Sequence, residues 1–113
     1  MSTITVREVL TLPVLRGTFV VAGQRGLSRA VTGVNVMEVP DIESFVKGGE
    51  LLLTTAYPLR EHPEDLSTLV RTLSRLGLAG LAVKTGRYLE KLPDEALAVA
   101  NELDFPVMLV AEH

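Results

Sequence analysis

Three short apolar runs recur along the chain, each entered through a turn residue. Leu51-Leu52-Leu53 follows Gly48-Gly49-Glu50, Leu81-Ala82-Val83 follows Gly80, and Val107-Met108-Leu109-Val110 follows Pro106. Runs of this length between turn residues read as strands buried on both faces. Between them the spacing changes to that of a helix. Leu66, Leu69, Val70 and Leu73 make one stripe, and Ala96, Leu97 and Ala100, joined by Leu103, make another. Pro63 suits the first turn of a helix running to about Leu76, which Gly77 stops. Pro93-Asp94-Glu95 opens the second helix with acidic residues where the helix dipole favours them. The order β-α-β-α-β predicts a parallel sheet with right-handed crossovers.

The N-terminal part is patterned differently. Thr5 and Glu8 form a capping box for a short helix whose face is Val6, Val9 and Leu10, limited by Pro13 to about Leu12. Thr18 to Ala22 and Val31 to Val39 read as strands, separated by the seven-residue turn Gly23–Arg29 and expected to pair as a β-hairpin. Pro40 to Lys47 reads as one or two helical turns capped by Asp41 and ended by Gly48, with Ile42, Phe45 and Val46 as the apolar face. The expected architecture is one small α/β domain over residues 1–113, a central parallel β-α-β-α-β unit extended by N-terminal strands.

Composition narrows the function. With 113 residues and 47% hydrophobic content there is material for one core. Eleven Lys and Arg against fourteen Asp and Glu give a net charge of −3, whereas a domain that grips nucleic acid through phosphates is usually basic. The lack of cysteine removes disulfides, thiolate nucleophiles and cysteine-bound zinc. No apolar stretch approaches the roughly 20 residues that span a bilayer, and no targeting segment is evident, so the cytoplasm is the expected compartment. A strand followed directly by Ala111-Glu112-His113 reads as a domain cut from a longer polypeptide.

In open parallel sheets small molecules bind at the carboxyl ends of the strands. There the chain places Thr54, Thr55 and Tyr57 after one strand and Lys84, Thr85, Arg87 and Tyr88 after the next. These hydroxyls, cations and rings are the candidate ligand-binding residues, able to stack on a planar ring or offset an anion; the competing reading is solvated loop charges and hydroxyls bonded to nearby backbone. Gly48, Gly49 and Glu50 are read as structural. A carboxylate entering a buried strand needs partners, either N–H groups of the Gly48-Gly49 turn region or an arginine such as Arg29. Gly23-Gln24-Arg25-Gly26 lacks the lysine and hydroxyl of a P-loop and precedes a strand, so it reads as a turn.

The catalytic inventory is thin: His62 and His113 are the histidines, and Ser28, Ser44, Ser67 and Ser74 have no evident base in a nucleophile motif. Glu38, Asp41 and Glu43 could bind a metal, yet acidic residues around a helix start have a structural reason to be there. No catalytic residue, metal or cofactor is assigned.

Glu50-Leu51-Leu52-Leu53-Thr54-Thr55 resembles a known family when taken with four further segments. These are Val6-Arg7-Glu8-Val9-Leu10 with Pro13; Val36-Met37-Glu38-Val39-Pro40-Asp41; Leu78 to Val83; and Gly86-Arg87-Tyr88 with Leu92-Pro93. Ala100 through Phe105-Pro106 completes the set. The chain is similar to the N-terminal domain of PucR-type purine catabolism regulatory proteins, a group of bacterial transcription regulators. The resemblance implies a sensory or regulatory domain ahead of a C-terminal helix-turn-helix, which is not visible here and through which DNA would be bound. It implies a small-molecule effector, purine-related or another metabolite, and a homodimer suited to palindromic sites. A ligand-free dimerisation scaffold and, less favoured, a small α/β enzyme are the alternatives.

Overall fold

The computed structural model describes residues 4–39, 41–86 and 88–110. In chain order these form β1 (Ile4–Thr5), α1 (Val6–Val9), β2 (Phe19–Ala22), β3 (Ala30–Val31), β4 (Gly33–Val36), β5 (Glu50–Thr54), α2 (Asp65–Arg75), β6 (Gly80–Lys84), α3 (Asp94–Glu102) and β7 (Val107–Val110). Single 3-10 turns lie at Pro13–Leu15, Gln24–Gly26, Ile42–Ser44 and Tyr57–Leu59.

The three apolar runs are β5, β6 and β7, side by side and parallel. They occupy the middle of a five-stranded sheet ordered β2-β7-β6-β5-β4. The register Leu52↔Leu81 and Leu81↔Val107 places apolar side chains in rows across the strands. Leu52, Leu81, Val83 and Val107 belong to the core that α2 and α3 cover through Leu66, Val70, Leu73, Ala96, Val99 and Ala100. Alternate residues face the other way: Leu51, Ala82 and Met108 pack with Val6 and Val9 of α1 and Val31 of β3. Each central strand is therefore sandwiched, which is why its sequence is apolar throughout rather than alternating.

Several expectations about the N-terminal half need correction. The predicted hairpin does not form. β2 pairs antiparallel with β7 at one edge, whereas β4 pairs parallel with β5 at the other. The stretch read as one strand from Val31 divides at Thr32, whose N–H donates to Gly49 O at 2.9 Å. Before this point β3 makes a two-stranded ribbon with β1; after it β4 joins the main sheet. The helix expected over Pro40–Lys47 contracts to the 3-10 turn Ile42–Ser44, without a side-chain cap from Asp41; Pro40 lies outside the described residues. Ile42 is buried but Phe45 is exposed, so the anticipated apolar face is incomplete. Gly49, rather than Gly48, takes the left-handed backbone, at φ +85. In α3, Val99 is buried while Leu97 is only partly so. By contrast, the Thr5–Glu8 capping box is present in full.

The turn between β2 and β3 is locked onto the opposite end of the chain. Gly23 donates its N–H to Asn101 Oδ1 at 2.8 Å and has φ +72; a Cβ there would lie 2.0 Å from Phe105 O. Arg29, at the end of the same turn, spreads its guanidinium over three backbone carbonyls. Nε meets Asp104 O at 3.1 Å, and the two terminal nitrogens meet Leu78 O at 3.1 Å and Leu103 O at 3.3 Å. Its Cζ stands 5.4 Å from the Phe105 ring centroid. The fork thus caps the end of α3 and the turn before β6 together.

Arg29→Ala is expected to lower the unfolding free energy by about 2–4 kcal/mol, since three part-buried carbonyls lose charged donors. Arg29→Lys is expected to recover less than half of that, because one ammonium cannot reproduce the planar fork. Urea unfolding of the three proteins checks both.

Candidate functional site

Strands β4 to β7 all point the same way, so their carboxyl ends meet at one rim. The structure brings Thr54, Thr55 and Lys84 of the predicted set together there. With Glu38 they line a cavity of about 160 Å³ whose remaining walls are Val36, Leu53, Ala82 and Val110. The register explains the floor: Val36, Leu53 and Ala82 form one row across three strands, and Lys84 pairs with Val110 in the next. This row lies on the sheet face away from α2 and α3, beyond the part that α1 and β3 cover.

Sequence reasoning missed the role of Glu38. Its carboxylate is the acceptor for both threonine hydroxyls: Thr54 Oγ1 donates to Oε1 and Thr55 Oγ1 to Oε2. The Thr55 N–H adds bonds of 3.1 Å to Oε1 and 3.0 Å to Oε2. Thr54 Oγ1 in turn accepts the Ala56 N–H at 3.0 Å, where the backbone turns left-handed at φ 66. Two adjacent hydroxyls ending a buried strand call for an acceptor, and Glu38, near the end of the strand read over Val31 to Val39, is one acidic candidate. That was the available signal, obscured because Glu38 was grouped with Asp41 and Glu43. Among the described residues there is no group of three or more metal-ligating side chains.

The other predicted residues sit around this clasp in different ways. Tyr57 and Tyr88 meet edge to face, with ring centroids 5.1 Å apart and planes at 83°. Arg60 covers the Tyr57 ring, Cζ 3.8 Å from its centroid, while donating to Tyr57 O at 2.8 Å. The two loops that follow β5 and β6 are thereby joined through their aromatics. Thr85 is half-buried directly after β6. Arg87 lies outside the described residues.

Glu50 resolves in favour of backbone. It accepts the Lys47 N–H at 2.7 Å and the Asn35 amide at 3.2 Å, holding the turn that carries Gly48 and Gly49 against β4. Arg29, the alternative partner, is engaged with Leu78, Leu103 and Asp104 instead. His62 is a surface residue 3.2 Å from Glu64. A hydrogen bond that the Glu64 carboxyl accepts from its own backbone, then one from His62, holds that carboxyl below its ordinary range.

A larger cleft of about 420 Å³ lies elsewhere, between the 3-10 turn at Ile42–Ser44, Pro58-Leu59 and α2. Its polar lining is Glu43, Asp65, Thr68 and Thr72, none of them a predicted site residue. Volume favours this cleft; convergent donors and an apolar floor favour the rim, and specificity comes from the latter.

Residues 8–113 match the purine catabolism regulatory protein-like family. The chain is 42% identical over 106 residues to the purine catabolism regulatory protein of Bacillus subtilis (strain 168), a match covering 94% of the chain and 20% of that protein. The chain therefore spans about one fifth of the length of this curated relative.

Replacing Thr55 by Val removes one donor to a part-buried carboxylate, and a loss of about 1–3 kcal/mol is expected. Combined with Glu38→Gln the losses should fall short of additive by more than about 0.5 kcal/mol. Denaturant unfolding of the four members of that cycle measures the coupling; strict additivity would mean the clasp does not operate as a unit.

Proposed function

The chain belongs to the purine catabolism regulatory protein-like family, and on that premise we propose that it is the N-terminal signal-sensing domain of a bacterial transcription regulator. In this reading the domain takes up a small metabolite at the rim and controls a separate DNA-binding module. The observation that carries the proposal is the cavity at the joined ends of β4 to β7. There Thr54, Thr55 and Lys84 stand over an apolar floor. At about 160 Å³ it is smaller than the roughly 300–1,000 Å³ of clefts that hold drug-sized ligands. A compact organic acid or one portion of a larger metabolite suits it. Tyr57 and Tyr88 extend the candidate surface, and Thr85 and Arg87 belong to the same loop by sequence. The net charge of −3 supports a division of labour in which DNA is contacted by another part of the protein. No helix among the described residues is long and apolar enough to cross a membrane, in keeping with a cytoplasmic regulator.

A thermal-shift panel of purines, their ureide breakdown products and small organic acids tests this reading. At least one compound is expected to raise Tm by several degrees, and Lys84→Ala to weaken its binding at least fivefold. A hit whose affinity ignores Lys84→Ala and Thr55→Val would remove the rim as the receptor.

Self-association is a second reading with its own support. Among the described residues β4 ends the sheet and has a neighbour only in β5. Its Val34 and Val36 are 57% and 66% exposed. An edge strand with apolar side chains is a ready surface for a second copy. Sedimentation over a concentration series is expected to show a dimer, and Val36→Lys to raise its dissociation constant at least tenfold. A chain that stays monomeric throughout would discard this reading.

A further inference from the structure

The carboxylate of Glu38 is held as a bound anion would be held. Its two oxygens take three donors from two successive residues, the Thr54 and Thr55 hydroxyls and the Thr55 N–H. The donors belong to the framework, since Thr54 is buried and closes the central strand β5. The acceptor does not. Glu38 follows the last ladder bond on its side, from Met37 N–H to Leu53 O at 3.1 Å, and Met37 to Val39 have no regular secondary structure. A tethered side chain on an irregular link thus fills a preformed fork on a rigid strand.

The cavity beside the fork has the opposite character. Val36, Leu53, Ala82 and Val110 give it an aliphatic floor, and the exposed Lys84 supplies a cation at the same cavity. One kind of molecule satisfies both halves at once: a carboxylate for the donors, and a short aliphatic body for the floor.

We propose that Glu38 is an internal stand-in for the carboxylate of a short-chain organic acid, which binds by displacing Glu38 from the Thr54–Thr55 fork and laying its chain on the Val36–Val110 floor. The proposal rests on the sensing role given above and names the chemical class of the effector. Displacement turns the Glu38 side chain out and frees the link between β4 and β5 from its only carboxylate tie to Thr54 and Thr55 among the described bonds. Occupancy of the cavity is thereby converted into release of a surface segment. A carboxylate tethered by a short link competes at an effective concentration in the millimolar range, so binding to the parent chain is weakened by the stand-in. Each methylene moved from water onto the floor tightens binding about fourfold.

Calorimetric titration of the 113-residue chain and its Glu38→Ala and Glu38→Gln variants with acetate, butyrate and hexanoate tests the proposal. Chloride at equal ionic strength and butylamine serve as controls. Both variants are expected to bind butyrate at least tenfold more tightly than the parent, with affinity rising from acetate to hexanoate and lost on adding Thr55→Val. Glu38→Gln keeps a hydrogen-bonding side chain at the fork and covers the case in which Glu38→Ala does not fold. Carboxylates that bind the variants no better than chloride, or no better than butylamine, overturn the proposal. If a purine or ureide stabilises the parent while the variants ignore carboxylates, the acid class falls and the sensing role stands. If the variants bind butyrate as expected but no compound of the panel reaches the parent, the fork stands and the sensing role falls.

Discussion

One guanidinium closes this fold. Three carbonyls, Leu78 at the turn before β6 and Leu103 and Asp104 at the end of α3, converge where helices hand over to strands. Such carbonyls have no partner within their own helix or strand, and burying them bare would be costly. Arg29 answers all three from a turn in the N-terminal third of the chain. It thereby fixes the ribbon of β1 and β3 over the sheet face opposite α2 and α3. The packing of Val6, Val9 and Val31 on Leu51, Ala82 and Met108 depends on that position. The uncovered remainder of the same face is the cavity floor. Stability and the shape of the cavity thus depend on the same contact.

The parallel centre was legible because its code is local. An apolar run, a helical stripe and a glycine or proline between them are all read within a few residues. The strand partners at the edges were not legible, because pairing between distant segments leaves no local trace. Thr18 to Ala22 has the composition of a strand whether its neighbour is Val31 or Met108. The hairpin expectation followed proximity in sequence, but Gly23 and Arg29 carry the turn away to the far end of α3. At Pro40 to Lys47 the residues for capping were present, yet the link had to span β4 and β5 in parallel and kept only one 3-10 turn.

The gathering of polar residues at the rim was legible in outline. Parallel order alone predicted that polar residues would gather after β5 and β6, and Thr54, Thr55 and Lys84 do meet there. What was hidden is that the hydroxyls already have a partner. Glu38 and Thr54 are 16 positions apart, and only the register Val36↔Leu53 makes them neighbours. Glu50 shows the converse: its bond to Lys47 spans three positions, and sequence reasoning included that outcome among its alternatives.

The pairing of β2 with β7 has a bearing on biosynthesis. Phe19 sits opposite Leu109, and Val20 opposite Met108, so β2 waits for a partner that is made much later. A nascent chain can assemble β4 to β6 with α2 as they emerge, but one side of β6 stays open until residue 110 has cleared the exit tunnel. Contacts of such long range are slow to form and leave sticky strand borders unprotected in the meantime. Until β7 emerges, both of its neighbours in the sheet, β2 and β6, stay open along one border.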